Sequence, residues 1–267
     1  MSAERVRIAA VGDLHCAKAM TPGTLASVFG QVAERADVLA LCGDLTDTGT
    51  VEEAKFLVRE LAIAKVPVVA VLGNHDFESD KADDVKQILT DGGITVLDGD
   101  SCELHGVGFA GVKGFAGGFG ERALQSWGEP LLKQFVHAAV EEALKLEGAL
   151  ARLRTSHRFA LMHYSPVRAT VADEASEIAP FLGSSRLEDP LNRYPVTAAF
   201  HGHAHRGAPE GRTASGVPVY NVALPLLKRR FPNDPPFRVV EVHADRGDGG
   251  PACAPVHAGA GLGATIP

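Results

Sequence analysis

The chain has 267 residues, a formal net charge of −7, 45% hydrophobic residues and only 6% aromatic ones. That length fits one large domain or two small ones, and the apolar share is ample for a sizeable core. The acidic balance argues against a general nucleic-acid or membrane-surface binder, though not against an anionic substrate drawn to a cationic pocket.

Strand and helix patterns alternate from the start. Arg5–Val11 reads as a strand ended by Gly12, and 22–36 has helical apolar spacing at Leu25, Val28, Phe29 and Val32. Val38–Cys42 is a strand ended by Gly43, 51–64 a helix with Glu52 and Glu53 where the helix dipole favours acids, and 66–72 a strand ended by Gly73. Next come a helix over 81–89 and a pair of strands, 94–97 and 102–109, joined through Asp98-Gly99-Asp100. A glycine-rich stretch at 111–120 precedes a long amphipathic helix over 131–153, whose spacing is not a clean heptad and predicts core packing. Strands at 159–162 and 196–200 bracket a Ser/Pro/Gly loop, and 217–222 and 238–242 finish the sheet material. Such alternation predicts an α/β fold with one domain over residues 1–244, followed by a Gly/Ala/Pro-rich tail, 245–267, expected to be disordered.

Cys16, Cys42, Cys102 and Cys253 form no C-x-x-C pair and suggest no disulfide framework, which fits a reducing cytoplasm. A cleaved leader is not expected, because the first strand runs straight into Asp13. No apolar stretch approaches a membrane span.

Five segments set metal-binding side chains beside strand ends: Gly12-Asp13-Leu14-His15, Gly43-Asp44-Leu45-Thr46-Asp47, Gly73-Asn74-His75-Asp76, Met162-His163-Tyr164 and Gly202-His203-Ala204-His205. Loops at the carboxyl ends of strands are where open α/β sheets gather ligands. Asp13 and His15, two apart, would point the same way from an extended backbone, and His203 and His205 would repeat this. Together the segments offer oxygen and imidazole ligands for two adjacent ions, with Asp44 the natural bridge. The donor set has no thiolate and suits Mn, Fe or Zn.

The order Asp-x-His, Gly-Asp-x-x-Asp, Gly-Asn-His-Asp, an isolated His and Gly-His-x-His resembles the calcineurin-like metallophosphoesterases over residues 6–225. The resemblance implies a four-layer αββα sandwich of two mixed sheets flanked by helices. It implies that Asp13, His15 and His205 hold one metal, that Asn74, His163 and His203 hold a second, and that Asp44 bridges them. It also implies that His75 faces the leaving group and that Asp47 orients His75 from behind, with Asp76 an alternative for that task. The expected reaction is attack of a metal-activated water on a phosphate ester, a small phosphodiester being favoured over a monoester. A phosphomonoesterase or protein phosphatase is the alternative, then a nuclease, then a non-catalytic scaffold. The expected partner is a small phosphorylated substrate, not nucleic acid or a membrane.

Taken singly, each ligand candidate has a plain structural reading; Gly-Asp is commonly a turn with Asp capping a helix. His201 sits deeper in its strand than His203 and is expected to be structural. His105, His137, His157, His243 and His257 lack local pattern. Arg168, Arg186, Arg193 and Arg206 follow ligand segments, and a guanidinium there could grip phosphate, although surface solvation is the commoner fate. Phe115 and Phe119 in the glycine-rich run suggest a substrate-facing rim, against the plainer reading of a tight loop that needs glycine.

Overall fold

The computed structural model describes residues 4–244. The tail expected over 245–267, with Cys253 and His257, lies outside the described residues. In chain order the strands are β1 (Glu4–Val11), β2 (Val38–Cys42), β3 (Val68–Val71), β4 (Ile94–Val96), β5 (Asp100–Leu104), β6 (Val107–Gly111), β7 (His157–Leu161), β8 (Ala198–His201), β9 (Glu210–Arg212), β10 (Pro218–Asn221) and β11 (Arg238–Ala244). The helices are α1 (Ala26–Arg35), α2 (Val51–Leu61), α3 (Ala82–Asp91), α4 (Pro130–Arg152), α5 (Glu188–Arg193) and α6 (Leu224–Arg230).

Two mixed sheets result. One has the order β11-β1-β2-β3-β4, parallel except for β11; the other has the order β5-β6-β7-β8-β10-β9, with antiparallel pairs at both edges. Period-two alternation divides the core into layers. Ile8, Ala10, Val38, Ala40, Val69 and Val71 face Phe109, Phe159, Leu161 and Phe200 between the sheets. Ala9, Val11, Leu39, Leu41 and Ala70 face the opposite way, onto α1, α2 and α3. Ala110, Ala160 and Ala199 of the second sheet meet Leu146, Ala149 and Leu150 of α4. The expected αββα sandwich is therefore the fold. All five residues of β2 are buried, which is why it reads as a continuous apolar run rather than an alternating one.

Two local readings change. The strands at 94–97 and 102–109 do not pair through Asp98-Gly99-Asp100. β4 ends the first sheet and β5 begins the second, so this segment crosses between sheets. The hairpin is β5–β6, turned at His105 (φ 51°) and Gly106 (φ 74°). A two-residue turn of this hand needs positive φ at both positions, and histidine tolerates that conformation better than branched residues do. The 165–195 stretch is not bare loop; it carries short 3₁₀ turns and α5.

α2 begins with a capping box, in which Glu53 accepts from the Thr48 and Thr50 N–H groups. That fixes the path leaving the Gly43–Asp47 segment. No helix among the described residues is long and apolar enough to cross a membrane.

Candidate metal centre

The five segments meet at one end of the two sheets. Asp13 follows β1, Asp44 follows β2, Asn74 follows β3, His163 follows β7, and His203 and His205 follow β8. The sheets are tied there by main chain, with the Gly12 N–H on the Val222 carbonyl (2.9 Å) and the Leu224 N–H on the Gly12 carbonyl (3.0 Å).

The backbone at the site is not extended, as the two-apart spacing suggested. Asp13 (φ 55°), His15 (φ 44°), Asp44 (φ 47°) and His203 (φ 67°) all adopt left-handed conformations. Such residues are uncommon outside glycine and collect at functional sites, held there by their surroundings. The turns bring the side chains inward at a cost in local strain. The glycines of the motifs leave them room. A Cβ at Gly73 would lie 2.2 Å from the Asp44 Oδ1, and one at Gly202 would lie 2.1 Å from the Asp13 Oδ2.

Two clusters form. In one, the His205 Nε2 lies 2.8 Å from the Asp13 Oδ1, and the ring of His15 stands edge-on to that of His205 at 5.3 Å. In the other, the His163 Nε2 lies 2.9 Å from the Asn74 Oδ1, 3.1 Å from the His203 Nδ1 and 3.3 Å from the Asp44 Oδ2. The same Asp44 Oδ2 is 3.8 Å from the His15 Nε2, so one carboxylate oxygen reaches a ring nitrogen of each cluster. Asp13, His15 and His205 have ligand atoms close enough to share an ion, as do Asp44, His163 and His203, and His75 forms a third such group with His15 and Asp44.

Hydrogen bonds from behind set the ring tautomers. The His163 Nδ1 faces the Cys42 carbonyl at 3.0 Å, and the His203 Nε2 faces the Phe181 carbonyl at 3.4 Å. A carbonyl only accepts, so each of these nitrogens carries its proton and the opposite nitrogen is a lone pair. In the neutral rings the His163 Nε2 and the His203 Nδ1 therefore point lone pairs at each other. The His15 Nε2 is buried without a hydrogen-bond partner. These acceptors have no protein donor to satisfy them, and cations at these two points would. The residues fit a pair of metal ions.

Without metal, a proton takes part of that role. Burial opposes a charge on His163, but Asp44 outweighs it and pushes the ring up to about 9. Burial also disfavours charge on Asp44, yet the facing His163 and the His75 N–H (2.9 Å) hold its carboxyl well below the usual range. Burial and the nearby His163 push His203 down to about 3.

The His75 Nδ1 is 2.7 Å from the backbone carbonyl of Asp47, not from its carboxylate. The carboxylate instead faces the His15 Nδ1 at 3.5 Å. Asp76 is committed elsewhere. Fully buried, it accepts from the N–H groups of Thr46 (2.8 Å), Gly73 (2.8 Å) and Leu45 (3.2 Å) and from the Thr46 hydroxyl (2.6 Å). It binds the Asp44 loop to the Asn74 loop. The short polar side chain inside a Gly-Asn-His-Asp string was a signal for such loop tying, but Leu45 and Thr46 come from another loop, which no local pattern reveals.

His201 is fully buried and bonded to the Gly202 carbonyl (2.8 Å) and the Thr170 hydroxyl (2.8 Å), as expected of a structural residue. Tyr164 packs its ring 4.5 Å from that of His203, a contact its position beside His163 could have suggested. Phe115 and Phe119 are not a free rim. Phe119 is buried with Val171, Ala179, Leu182 and Ala204, and Phe115 packs against Phe135 of α4. Of the four arginines, Arg193 pairs with Glu147 and the Arg186 Nη2 donates to the Leu124 carbonyl (2.8 Å).

Residues 6–207 match the calcineurin-like phosphoesterase family. The chain belongs to that family. Membership makes it a metal-dependent hydrolase of phosphoric esters, in keeping with the two ligand clusters. No curated protein is similar enough in sequence to count as a match. Solved structures share the fold. The Phosphopantetheinyl Hydrolase (PptH) of Mycobacterium tuberculosis is 18% identical, with a TM-score of 0.60 over 87% of this chain and 95% of its own. TT1561 of Thermus thermophilus is 13% identical, with a TM-score of 0.52 over 90% of this phosphoesterase and 99% of its own chain.

Proposed function

We propose that this phosphoesterase hydrolyses small phosphodiesters at a two-metal centre. Asp13, His15 and His205 would hold one ion, Asn74, His163 and His203 would hold the other, and Asp44 would be shared between them. The observation that carries this is the Asp44 Oδ2, within 3.8 Å of the His15 Nε2 and 3.3 Å of the His163 Nε2. Mn, Fe and Zn all suit the mixed oxygen and imidazole donors. Bound there, such ions supply Lewis acidity toward the phosphoryl oxygens and a nucleophile at neutral pH.

The chain's own groups do the rest. The Asp47 carbonyl keeps a proton on the His75 Nδ1, which leaves the His75 Nε2 as the position that holds or delivers a proton to the leaving oxygen. Asp47 fixes the ring of His15, and the Cys42 and Phe181 carbonyls fix those of His163 and His203, so the donor set is rigid before substrate arrives.

Preference for a diester is supported by apolar surface on both flanks. Phe77, beside His75, is 42% exposed, and Phe181, whose carbonyl meets His203, is 59% exposed. A diester has two substituents to place against them. The buried, reduced thiols of Cys16 and Cys42 support action in a reducing cytoplasm. With Mn²⁺ present, bis-p-nitrophenyl phosphate is expected to turn over with higher kcat/KM than p-nitrophenyl phosphate. A strong monoester preference removes the diester assignment, and no turnover of either removes the hydrolase.

A further inference from the structure

Lys113 lies where β6 runs out beside the centre, and its carbonyl accepts the N–H groups of His163 (3.0 Å) and Tyr164 (3.1 Å). Its half-buried side chain sits among three rings. The Nζ is 4.9 Å from the centre of Phe115, 5.2 Å from Tyr164 and 5.5 Å from Phe77. Its protein hydrogen bond is to the carbonyl of Gly114, at 3.0 Å. Among the described residues it has no carboxylate partner. Glu142 of α4 is taken by the Lys145 Nζ (2.8 Å) and the Gly114 N–H (2.7 Å), and Lys145 also holds Asp98 (3.1 Å).

Beside Lys113 a cavity is floored by Leu72, Val96 and Leu97, walled by Phe77, and flanked by Lys86 on α3. Asp83 and the already paired Asp98 also reach its edge. Phe77 and His75 belong to one short turn, so a wall of this cavity lies two residues from the histidine placed at the leaving group.

We propose that Lys113 and this cavity form the leaving-group subsite, selective for an ester whose alcohol portion joins an apolar body to a negative charge. This rests on the reaction proposed above. The apolar floor and the Phe77 face take the body, and the ammonium, which forms no salt bridge among the described residues, takes a carboxylate or a second phosphate. The rings hold the cation in place without neutralising it, which a salt bridge would do. A purely structural lysine, packing its stem on the rings, makes no distinction between charged and neutral substrates.

The test uses full-length, Mn²⁺-loaded protein and two methyl aryl phosphodiesters, one with a 4-propylphenyl and one with a 4-(2-carboxyethyl)phenyl leaving group. Their remote substituents leave the reacting bond nearly alike. The wild type is expected to favour the carboxylate by about tenfold in kcat/KM, the scale of one charge-assisted hydrogen bond. Lys113→Met should bring the ratio near one, and Lys113→Arg should keep it. Equal turnover of both esters by the wild type, or an unchanged ratio in Lys113→Met, overturns the subsite while leaving the hydrolase intact. If neither ester nor bis-p-nitrophenyl phosphate is cleaved, the phosphodiesterase reading fails and the subsite with it.

Discussion

His75 is held by a main-chain oxygen, so replacing the Asp47 side chain does not release it. Asp47→Asn is expected to lower kcat/KM by about ten- to a hundredfold, through a looser His15, the size usual for groups that orient a ligand. His75→Ala should lose about 10²- to 10⁴-fold with metal content unchanged, most of it on esters with poor leaving groups. Equal losses in the two variants, with metals retained, would contradict the carbonyl anchor. At His201, burial pushes the ring down to about 4, below the value of about 6.5 it takes in the unfolded chain. Below pH 6.5 the unfolded state therefore binds the extra proton, and stability falls as pH drops toward 4, by at most about 3 kcal/mol from this group. Urea midpoints of metal-free protein at pH 7, 6 and 5 should fall less steeply in His201→Asn than in the wild type. Parallel slopes would mean that His201 already protonates in the fold.

The strand-to-loop turns are the elements that make the centre, and they leave no room for a side chain at their glycines. Gly73 is not in a left-handed conformation; it is required because Asp44 lies against it. Gly73→Ala places a methyl group where the Asp44 Oδ1 sits, and the bridge must move. Metal affinity is expected to fall by at least about a hundredfold, the scale of losing a ligand's support. The same methyl lies 2.2 Å from the Asp44 backbone nitrogen, so the loop itself must shift and the metal-free melting temperature should fall as well. Full metal occupancy in the variant would show that Asp44 does not bridge. Much of this was legible beforehand. Gly43-Asp44, Gly73-Asn74 and Gly202-His203 name both the side chain and the space it needs. The left-handed turns at Asp13, His15 and His203 were not legible, because spacing of two is shared by extended and turned backbone. Nor were the packed positions of Phe115 and Phe119, whose partners come from α4 and from 171–204.

At the scale of the whole molecule, the centre draws its candidate ligands from both sheets. Its ligands come from loops up to 192 residues apart, the separation of Asp13 and His205. Ions that bind only the folded chain stabilise it by mass action, about 4 kcal/mol for each site held a thousandfold above its dissociation constant. A chelator that strips both ions is therefore expected to lower the melting temperature by roughly 20 °C, given the usual few degrees per kcal/mol for a chain of this size, and added Mn²⁺ to restore it. An unchanged melting temperature on demetallation would mean that the loops are held without ions. The sign with pH follows from the metal-free site. His163, raised to about 9 beside Asp44, stabilises the fold below pH 6.5 and loses that contribution as pH rises through 9. Metal needs the same ring neutral, so the gain from Mn²⁺ should grow over that range.

The sequence by itself determined the ligand types, their order, and the strands that carry them, because each depends on short-range pattern: an apolar run, a glycine, then an acid or a histidine. Its alternation of strands and helices was enough to predict an α/β sheet. Only the tertiary structure decided that β4 and β5 belong to different sheets, since an Asp-Gly-Asp crossing and an Asp-Gly-Asp hairpin look alike locally. It alone gave the Asp47 carboxylate to His15 and the Asp47 carbonyl to His75, and put Lys113 among Phe77, Phe115 and Tyr164. Those pairings are set by how two sheets and α4 pack, and packing partners distant in the chain leave no trace in local periodicity.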